Sequence, residues 1–560
     1  MNARANKLLL LGSSVATLAA LGWGAYRENV LQEWRVVQRE YKRRLSAANA
    51  AEFNVQLRQI VVPDLNAADR CVSCHVGMAP GETGVAGSAL FAHHPNVVHD
   101  PGEFGCTVCH GGQGRATERA AAHGDAPHWP EPMIPRRYIA AGCGSCHTPL
   151  EVPRLAALER GRSLVERYDC LACHKLDGRG GSTRPGGAGG MEGPDLSRVG
   201  AVGFDRDWYA HHLARRDTSR VGAWRASFAE IAGEDREPIE ALLLSRVGAA
   251  DLVEAKSVFH SRGCLGCHKV GGVGGDDGPD LTSIGKMDPG QRDFSHVEGA
   301  HTVANWLAEH FRKPSAVVPA SAMPEFRLSE KDLDALVFHM LSLRRGSLPE
   351  AYWPLDRVRG ERFGAREFST DGATLFGAFC AACHGPTGEG MRYPGMVAFP
   401  AIGNPEFLRI ASDAFLKATV THGRRPRRMP AWGESAGGLR PAEIDSVVAH
   451  VRTLGGGARP LDDAKPARWV AGDVRIGAAL YAANCGACHG KKGEGGEGTA
   501  LANATLLQNA TDTYLVETIR RGRRGSSMLG FGTGSATRRA LLQEEIEAVV
   551  AHIRSWEAHP

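Results

Sequence analysis

The amino-acid sequence predicts a mainly α-helical fold with extensive loops, made of a membrane helix, a compact unit and a fourfold repeat. Three observations support this. An uncharged run extends from Leu8 to Tyr26 near the N-terminus. The pattern Cys-x-x-Cys-His occurs seven times and accounts for all 14 cysteines. From residue 151 onward, the order of helix, motif, glycine-rich loop and helix recurs about every hundred residues, which indicates one supersecondary unit used four times.

The composition limits the possible functions. The 560 residues include 66 lysines and arginines against 62 aspartates and glutamates, a formal net charge of +4. That balance is too even to indicate a nucleic acid or a strongly acidic substrate as the partner. With 69 glycines, 30 prolines and 43% hydrophobic residues, the chain fits small loop-rich units better than large apolar cores.

The seven motifs predict covalent haem attachment. Two thiols at this spacing add to the porphyrin vinyl groups and the next imidazole reaches the iron, which is the attachment pattern of c-type haem. The cysteine pairs are Cys71/Cys74, Cys106/Cys109, Cys143/Cys146, Cys170/Cys173, Cys264/Cys267, Cys380/Cys383 and Cys485/Cys488, and the axial histidines are His75, His110, His147, His174, His268, His384 and His489. Zinc is the alternative metal, but it does not require a histidine after every cysteine pair. We therefore predict seven covalently bound haem c groups.

The N-terminal run predicts a membrane anchor over residues 1–27. It is long enough for a transmembrane helix, and Arg4, Lys7 and Arg27 flank it. A cleaved secretory signal has the same charged start and apolar middle, but no clear cleavage site precedes the basic segment that follows. Because c-type haem is attached on the outer face of the bacterial cytoplasmic membrane, we expect an inner-membrane protein with a single N-terminal anchor and periplasmic haem domains.

Residues 28–59 predict a helical stalk. Apolar residues recur at helical spacing among many charges, as in a solvated helix or a helix that lies against a partner. The solvated helix is the simpler interpretation of such a charged segment.

Residues 60–150 hold three motifs and predict one trihaem unit. The segments between the motifs are too short to give each haem a separate domain, so we expect haems with a histidine on both faces of the iron. The histidines available between the motifs are His93, His94, His99, His123 and His128. We predict His94, His99 and His123 as the second ligands, while any one of them could instead be a surface histidine.

Four repeats follow at residues 151–250, 251–350, 360–457 and 468–560, named units 1 to 4 from here on. Each begins with a short helix that runs into the motif, as in GATLFGAFCAACH, and ends with an amphipathic helix, as in KDLDALVFHML. This order of features resembles class I cytochrome c. Histidines recur at one position of the closing helices, and we interpret them as helix-surface residues: His339, His450 and His552.

The resemblance to class I cytochrome c implies further axial groups. It assigns an axial methionine before the closing helix, which is Met323 in unit 2, Met429 in unit 3 and Met528 in unit 4, although a methionine can also be core filling. It also implies a proline carbonyl that accepts the N–H of the axial imidazole. The matching prolines are Pro194 in unit 1, Pro279 in unit 2 and Pro400 in unit 3, and no equivalent proline is found in unit 4.

Unit 1 departs from this pattern. Alignment with unit 2 places Arg225 where Met323 stands. The haem of unit 1 then takes another ligand, with His211 and His212 the nearest candidates, or keeps an open sixth site. His212 has a counterpart, His310, in unit 2, where a methionine is already assigned, so a shared structural role is equally consistent.

The N-terminal haem region shows a second resemblance. The segments LRQIVVPDLNAADRCVSCH, HPNVVHDPGEFGCTVCHGGQGRAT and AAGCGSCH are similar to the trihaem region of multihaem c-type cytochromes that accompany bacterial cytochrome b and Rieske-type quinol-oxidising complexes. This resemblance covers residues 28–150. It implies an integral membrane quinol-oxidising subunit as the electron donor, and a soluble periplasmic cytochrome or a terminal oxidase or reductase as the acceptor.

Two functions remain open at this stage. The first is an electron-transfer subunit without catalytic residues of its own. Methionine as an axial ligand raises a haem potential relative to a second imidazole. Electrons would therefore enter at the trihaem unit and leave at the C-terminal units. The second is a haem enzyme that binds peroxide or a nitrogen oxide at the Cys170/Cys173 haem, with Arg225 able to polarise it. No further acid or base is tied to that haem, so the sequence favours electron transfer.

Overall fold

The fold is built from α-helices joined by loops, as the sequence predicts. The computed structural model describes residues 3–95, 97–125, 128–172, 174–180, 193–202, 204, 206–214, 231–425, 429–461, 464–523 and 526–558. Among these residues the sheets are three antiparallel two-stranded hairpins: β1 (Ile60–Val62) with β2 (Ala67–Asp69), β3 (Lys175–Leu176) with β4 (Arg179–Gly180), and β5 (Lys269–Val270) with β6 (Val273–Gly274). Cys173 and Arg225 lie outside the described residues, as does the side chain of His212.

Helix α1 (Ala3–Val30) is the N-terminal apolar helix. It has 28 residues, is long and apolar enough to cross a membrane, and buries none of its side chains against the rest of the chain. A signal sequence at this position meets the same criteria. The helix therefore fits a membrane-anchored protein.

The segment after α1 is docked on the first haem motif. Its helices are α2 (Glu33–Arg44) and α3 (Ala47–Glu52). Tyr41 is fully buried, with its ring 5.0 Å from that of Phe53, and Gln38 Nε2 donates to the carbonyl of Ser73 inside the motif at 2.9 Å. The expected solvated stalk is therefore wrong for α2, because its aromatic face covers the motif of its own chain.

The trihaem unit has short helices and small cores. Its elements are β1, β2, α4 (Pro101–Phe104), α5 (Thr107–His110), α6 (Arg119–His123) and 3-10 turns at Pro63–Leu65, Cys71–Ser73, Val76–Met78 and Arg136–Ser145. Two small clusters of buried apolar residues support it, one around Tyr41 and one around Val72. Asp69, which is completely buried, joins the first two motifs by accepting hydrogen bonds from the Thr107 N–H at 3.0 Å and hydroxyl at 2.7 Å.

Units 1 to 4 each pair an opening helix with a closing helix. The helices are α7 (Leu155–Arg167), α8 (Arg206–Ala214) and α9 (Gly233–Leu244) in unit 1; α10 (Ala250–Ser261), α11 (Val303–Arg312), α12 (Pro314–Val317) and α13 (Glu330–Ser342) in unit 2; α14 (Leu355–Phe363), α15 (Gly372–Phe379), α16 (Ala381–His384), α17 (Pro405–Ile410), α18 (Asp413–His422) and α19 (Pro441–Leu454) in and before unit 3; α20 (Val474–Asn484), α21 (Gly486–His489), α22 (Ala504–Asn509), α23 (Asp512–Arg521) and α24 (Gln543–Ser555) in unit 4. The packed pairs are α7 with α9, α10 with α13, α15 with α19, and α20 with α24.

Glycines allow the paired helices to approach closely. A Cβ on Gly372 would lie 2.1 Å from the carbonyl oxygen of Ser446, and a Cβ on Gly477 would lie 1.9 Å from that of Ala548. Neither position tolerates a side chain without separating the helices.

The apolar core is continuous across units 2, 3 and 4. It also takes in Tyr138 and Ala141 at the end of the trihaem unit, whereas unit 1 has a separate core around Leu158 and Leu242. His339 is buried in the continuous core, with its ring 4.7 Å from that of Phe259. Its interpretation as a surface residue is wrong, because this face of the closing helix packs on the opening helix.

Candidate haem sites

All seven motifs adopt the same local turn. In each, the N–H of the histidine donates to the carbonyl of the first cysteine at 2.9 to 3.0 Å. One helical turn therefore brings the described thiols and the imidazole of a motif to one side of the backbone. This is the arrangement that two thioether bonds and an axial nitrogen require.

The axial imidazoles of units 1 to 4 are each fixed by a backbone carbonyl. The distances from Nδ1 to the carbonyl oxygen are 2.9 Å for His174 and Pro194, 2.8 Å for His268 and Pro279, 2.8 Å for His384 and Pro400, and 2.7 Å for His489 and Thr499. Such a bond orients the ring and leaves Nε2 for the metal. The predicted role of the prolines is confirmed, and Thr499 provides the carbonyl that the sequence did not identify in unit 4.

Glycines pack closely against the imidazole rings of three of these histidines. A Cβ would lie 2.5 Å from the ring of His174 if placed on Gly193, and 2.4 Å from the ring of His268 if placed on Gly278. Gly498 occupies the corresponding place beside His489, at 2.7 Å. In units 1, 2 and 4 the glycine immediately precedes the residue that supplies the carbonyl, so unit 4 keeps the arrangement without its proline.

The structure brings the three candidate second ligands of the trihaem unit next to three motif histidines. The ring centroids of His94 and His110 are 6.1 Å apart, as are those of His99 and His147. A metal–imidazole bond is about 2 Å long and the ring centroid lies about 1 Å beyond the nitrogen, so two axial imidazoles have centroids about 6 Å apart. The two pairs therefore have the spacing of ligands on opposite faces of one iron.

The third pair consists of His75 and His123. Burial, and next the charge of nearby His123, lower the pKa of His75, which favours the neutral imidazole that a metal ligand requires. His93 differs from these residues, because its Nε2 accepts a hydrogen bond from the N–H of Gly84 at 3.1 Å. That contact fits a structural role for His93.

Met429 and Met528 occupy equivalent turns. The carbonyl of Met429 accepts from the N–H of Arg424 at 3.0 Å, and that of Met528 accepts from the N–H of Arg523 at 2.8 Å. Met528 thus shares the local geometry of Met429 although it lacks the following proline. Met323 is partly buried against the core of unit 2.

Unit 1 has no described methionine in the corresponding place. His211 is exposed, and its Nδ1 lies 2.6 Å from the carbonyl of Asp207 in its own helix. Arg225, on which the enzyme hypothesis depends, lies outside the described residues.

Two threonines that sequence reasoning missed support the fit of a haem. The hydroxyls of Thr419 in α18 and Thr518 in α23 are buried without a hydrogen-bond partner. They stand at corresponding positions of units 3 and 4, and a buried polar atom normally has a partner. A polar edge of the haem would supply one. The sequence signal was their equal spacing from the following methionine.

Comparisons with known proteins agree with these sites. The family model "Cytochrome c" matches residues 252–344, and the model "Cytochrome C oxidase, cbb3-type, subunit III" matches residues 369–451 and 472–553. The chain therefore contains cytochrome c domains over these residues, and the matches support a multihaem c-type cytochrome. These domain matches support the presence of covalently bound haem c.

Several curated relatives resemble the cytochrome over part of their length. The cbb3-type cytochrome c oxidase subunit FixP of Bradyrhizobium sp. strain ORS 278 is 34% identical over 164 residues, 28% of this chain and 51% of the relative. FixP of Azorhizobium caulinodans is 33% identical over 165 residues, 28% of this chain and 50% of the relative. Subunit CcoP of Rhodobacter capsulatus is 28% identical over 195 residues, 33% of this chain and 61% of the relative. The cytochrome spans about half the length of the first of these relatives.

Proposed function

We propose that this cytochrome is a membrane-anchored periplasmic electron carrier with seven haems. It takes electrons from an integral quinol-oxidising complex of the cytochrome b and Rieske type and passes them to a periplasmic cytochrome or a terminal oxidase. The observation that carries this proposal is that all seven Cys-x-x-Cys-His motifs form the same turn. Haem supplies one-electron redox chemistry, and the chain's residues hold it and set its potential.

The ligands give the transfer a direction. The trihaem unit offers imidazole pairs such as His94 with His110, whereas units 2 to 4 each offer one imidazole and one methionine. Methionine ligation raises the potential, so electrons move from the membrane end toward unit 4. The resemblance of units 3 and 4 to subunits named for cbb3-type oxidases supports an oxidase as the acceptor.

Purification of the native protein in mild detergent tests this function. We expect an integral partner with b-type haem to purify with the cytochrome and quinol to reduce the c-type haems. A cytochrome that purifies alone and that quinol does not reduce would contradict the proposal.

A matched variant distinguishes the entry of electrons at the trihaem unit from their exit at unit 4. Replacing Cys485 and Cys488 by serine removes the last attachment site and keeps the trihaem unit. We expect quinol to reduce the remaining haems of this variant, while reduction of the acceptor is lost. Equal loss of both activities would show that unit 4 is not specifically the exit.

A further inference from the structure

The three motifs of the trihaem unit touch one another in sequence order. Asp69, two residues before Cys71, accepts a hydrogen bond from the N–H of Cys106 and so joins the first two motifs. A Cβ on Gly142 would lie 1.9 Å from the carbonyl oxygen of Cys109, so the third motif begins directly on the second. Each haem attachment site of this unit therefore adjoins the next.

The third motif continues into unit 2. A Cβ on Gly144, between its two cysteines, would lie 2.0 Å from the carbonyl oxygen of Ser342 in the closing helix α13. His147 and Val270, which follows the Cys264 motif, line one small cavity of about 50 Å³. The attachment sites of the third motif and of unit 2 are thus neighbours.

Units 2 and 3 meet at their haem motifs. A Cβ on Gly266, just before Cys267, would lie 3.1 Å from the carbonyl oxygen of Phe379, just before Cys380. Gly263, with φ +69°, makes this approach possible, because a Cβ there would lie 2.8 Å from the backbone nitrogen of Ala382. The thioether edges of two haems would therefore lie side by side.

Units 3 and 4 meet on the methionine side. Helix α18 packs on α22, and α17 packs on α23; since α17 corresponds to α22 and α18 to α23, the interface is approximately two-fold. Arg424, near Met429, donates to the carbonyl of Ala500 at 2.9 Å, and Asn503 donates to the carbonyl of Arg425. The contact thus involves the loops that surround the axial ligands of both units.

Unit 1 contacts unit 2 but lies beside the series of adjoining haem motifs. Arg162 and Arg246 form ion pairs with Glu254 in α10, at 2.5 and 3.1 Å. The described part of its motif, residues 170–172 and 174, packs mainly on α7 and the β3–β4 hairpin of the same unit. The unit is therefore fixed beside α10, at the start of unit 2.

From these contacts we propose that electrons cross the cytochrome through six attachment sites, in the order of the Cys71, Cys106, Cys143, Cys264, Cys380 and Cys485 motifs, and that unit 1 is a side branch beside the start of unit 2. This rests on the proposed electron-carrier function. Haem held by these motifs would supply the one-electron chemistry, each transfer oxidising one site and reducing the next, so that no proton or further reactant would be needed. The order in space therefore differs from the order in sequence, since the fourth motif is bypassed.

The test delivers electrons at a known end of the full-length holoprotein. A ruthenium photosensitiser is attached to p-azidophenylalanine introduced at the exposed position of Leu57, which avoids a new cysteine. Flash reduction of the methionine-ligated haems of units 2 to 4 is followed through their iron–sulfur charge-transfer band. Haem content of every variant is measured by intact mass.

Two matched variants give opposite expectations. Cys170→Ala with Cys173→Ala removes the branch, and the charge-transfer signal of all three methionine-ligated haems should respond at the rate of the parent. Cys380→Ala with Cys383→Ala breaks the series, so unit 2 should still be reduced while rapid reduction of unit 4 is lost. Loss of the signal in the first variant, or rapid reduction of unit 4 in the second, would overturn the proposed route.

A third variant covers the case in which a unit without its haem does not fold. Met429→His keeps the attachment site of unit 3 and lowers its potential. We expect electrons to reach unit 2 at the parental rate and unit 4 more slowly, and an unchanged rate at unit 4 would overturn the proposal. Because the photosensitiser replaces the natural donor, these results are independent of whether quinol reduces the native protein.

Discussion

The trihaem unit and units 2 to 4 differ in what holds their haem motifs in place. In units 2 to 4 the motifs are attached to helix pairs that share one continuous apolar core. In the trihaem unit they sit on short turns; the apolar clusters beside the first two motifs are small, while the third motif packs on the continuous core through Tyr138 and Ala141. Small cores contribute little free energy of folding, so the first two motifs depend on haem and on α2, whereas units 2 to 4 can position their motifs by packing alone.

Removal of a haem gives the largest contrast between the two regions. Cys106→Ser with Cys109→Ser should unfold much of residues 60–133, because a ligand that binds only the native state is lost from a segment with little core. Cys485→Ser with Cys488→Ser should leave the α20–α24 pair folded. Hydrogen exchange of the intact protein measures both, and equal protection of the two regions would contradict the comparison.

Loss of a second ligand should change one haem of the trihaem unit without unfolding it. In His94→Ala we expect the haem beside His110 to become five-coordinate, with a high-spin ferric signal and binding of carbon monoxide. His93→Ala is the matched control, because His93 bonds to Gly84 instead. If both variants give the high-spin signal, the pairing of His94 with His110 is wrong.

Glycine substitutions in α15 measure the packing that units 2 to 4 rely on. Gly372→Ala should destabilise unit 3 by about 1 to 3 kcal/mol, because its Cβ would lie 2.1 Å from the carbonyl of Ser446. Gly377→Ala meets nothing within 4 Å and should stabilise by up to about 1 kcal/mol. Denaturant unfolding of the holoprotein compares the two, and a similar change for both would exclude a tight helix crossing.

Acid should weaken the continuous core through His339. Burial lowers the pKa of His339 to about 3, while the unfolded chain keeps a value near 6.5. Between these values the unfolded state binds the extra proton, so the free energy of unfolding falls as the pH decreases, by up to about 1.4 kcal/mol per pH unit. His339→Leu should reduce this dependence of stability on pH below pH 6.5. His296→Leu, at an exposed position, is the control and should not reduce it. Equal slopes of the free energy of unfolding against pH in the two variants would show that His339 is not responsible.

Local features of this cytochrome were predictable from the sequence. The spacing of each Cys-x-x-Cys-His motif fits one helical turn, so the side to which its thiols and imidazole point is set over five residues. The opening and closing helices follow from apolar periodicity over similar lengths. Pro194 and Pro279 were identifiable for the same reason, because they lie in short segments that resemble one another.

Features that depend on distant segments required the tertiary structure. A charged helical pattern does not reveal that Tyr41 is buried against the first motif, and closing-helix spacing does not reveal that His339 packs on Phe259. The carbonyl of Thr499 was missed because a backbone acceptor leaves no mark on side-chain identity.

The sequence by itself therefore determined where haem attachment is proposed, since the two thiols and the imidazole belong to one turn. Only the tertiary structure decided which histidines face each other and which attachment sites adjoin. The close approach of Gly263 to Ala382 joins residues more than a hundred positions apart. Contacts at that separation form when apolar helix faces pack together, and the packing depends on shape and close approach, which local spacing does not encode.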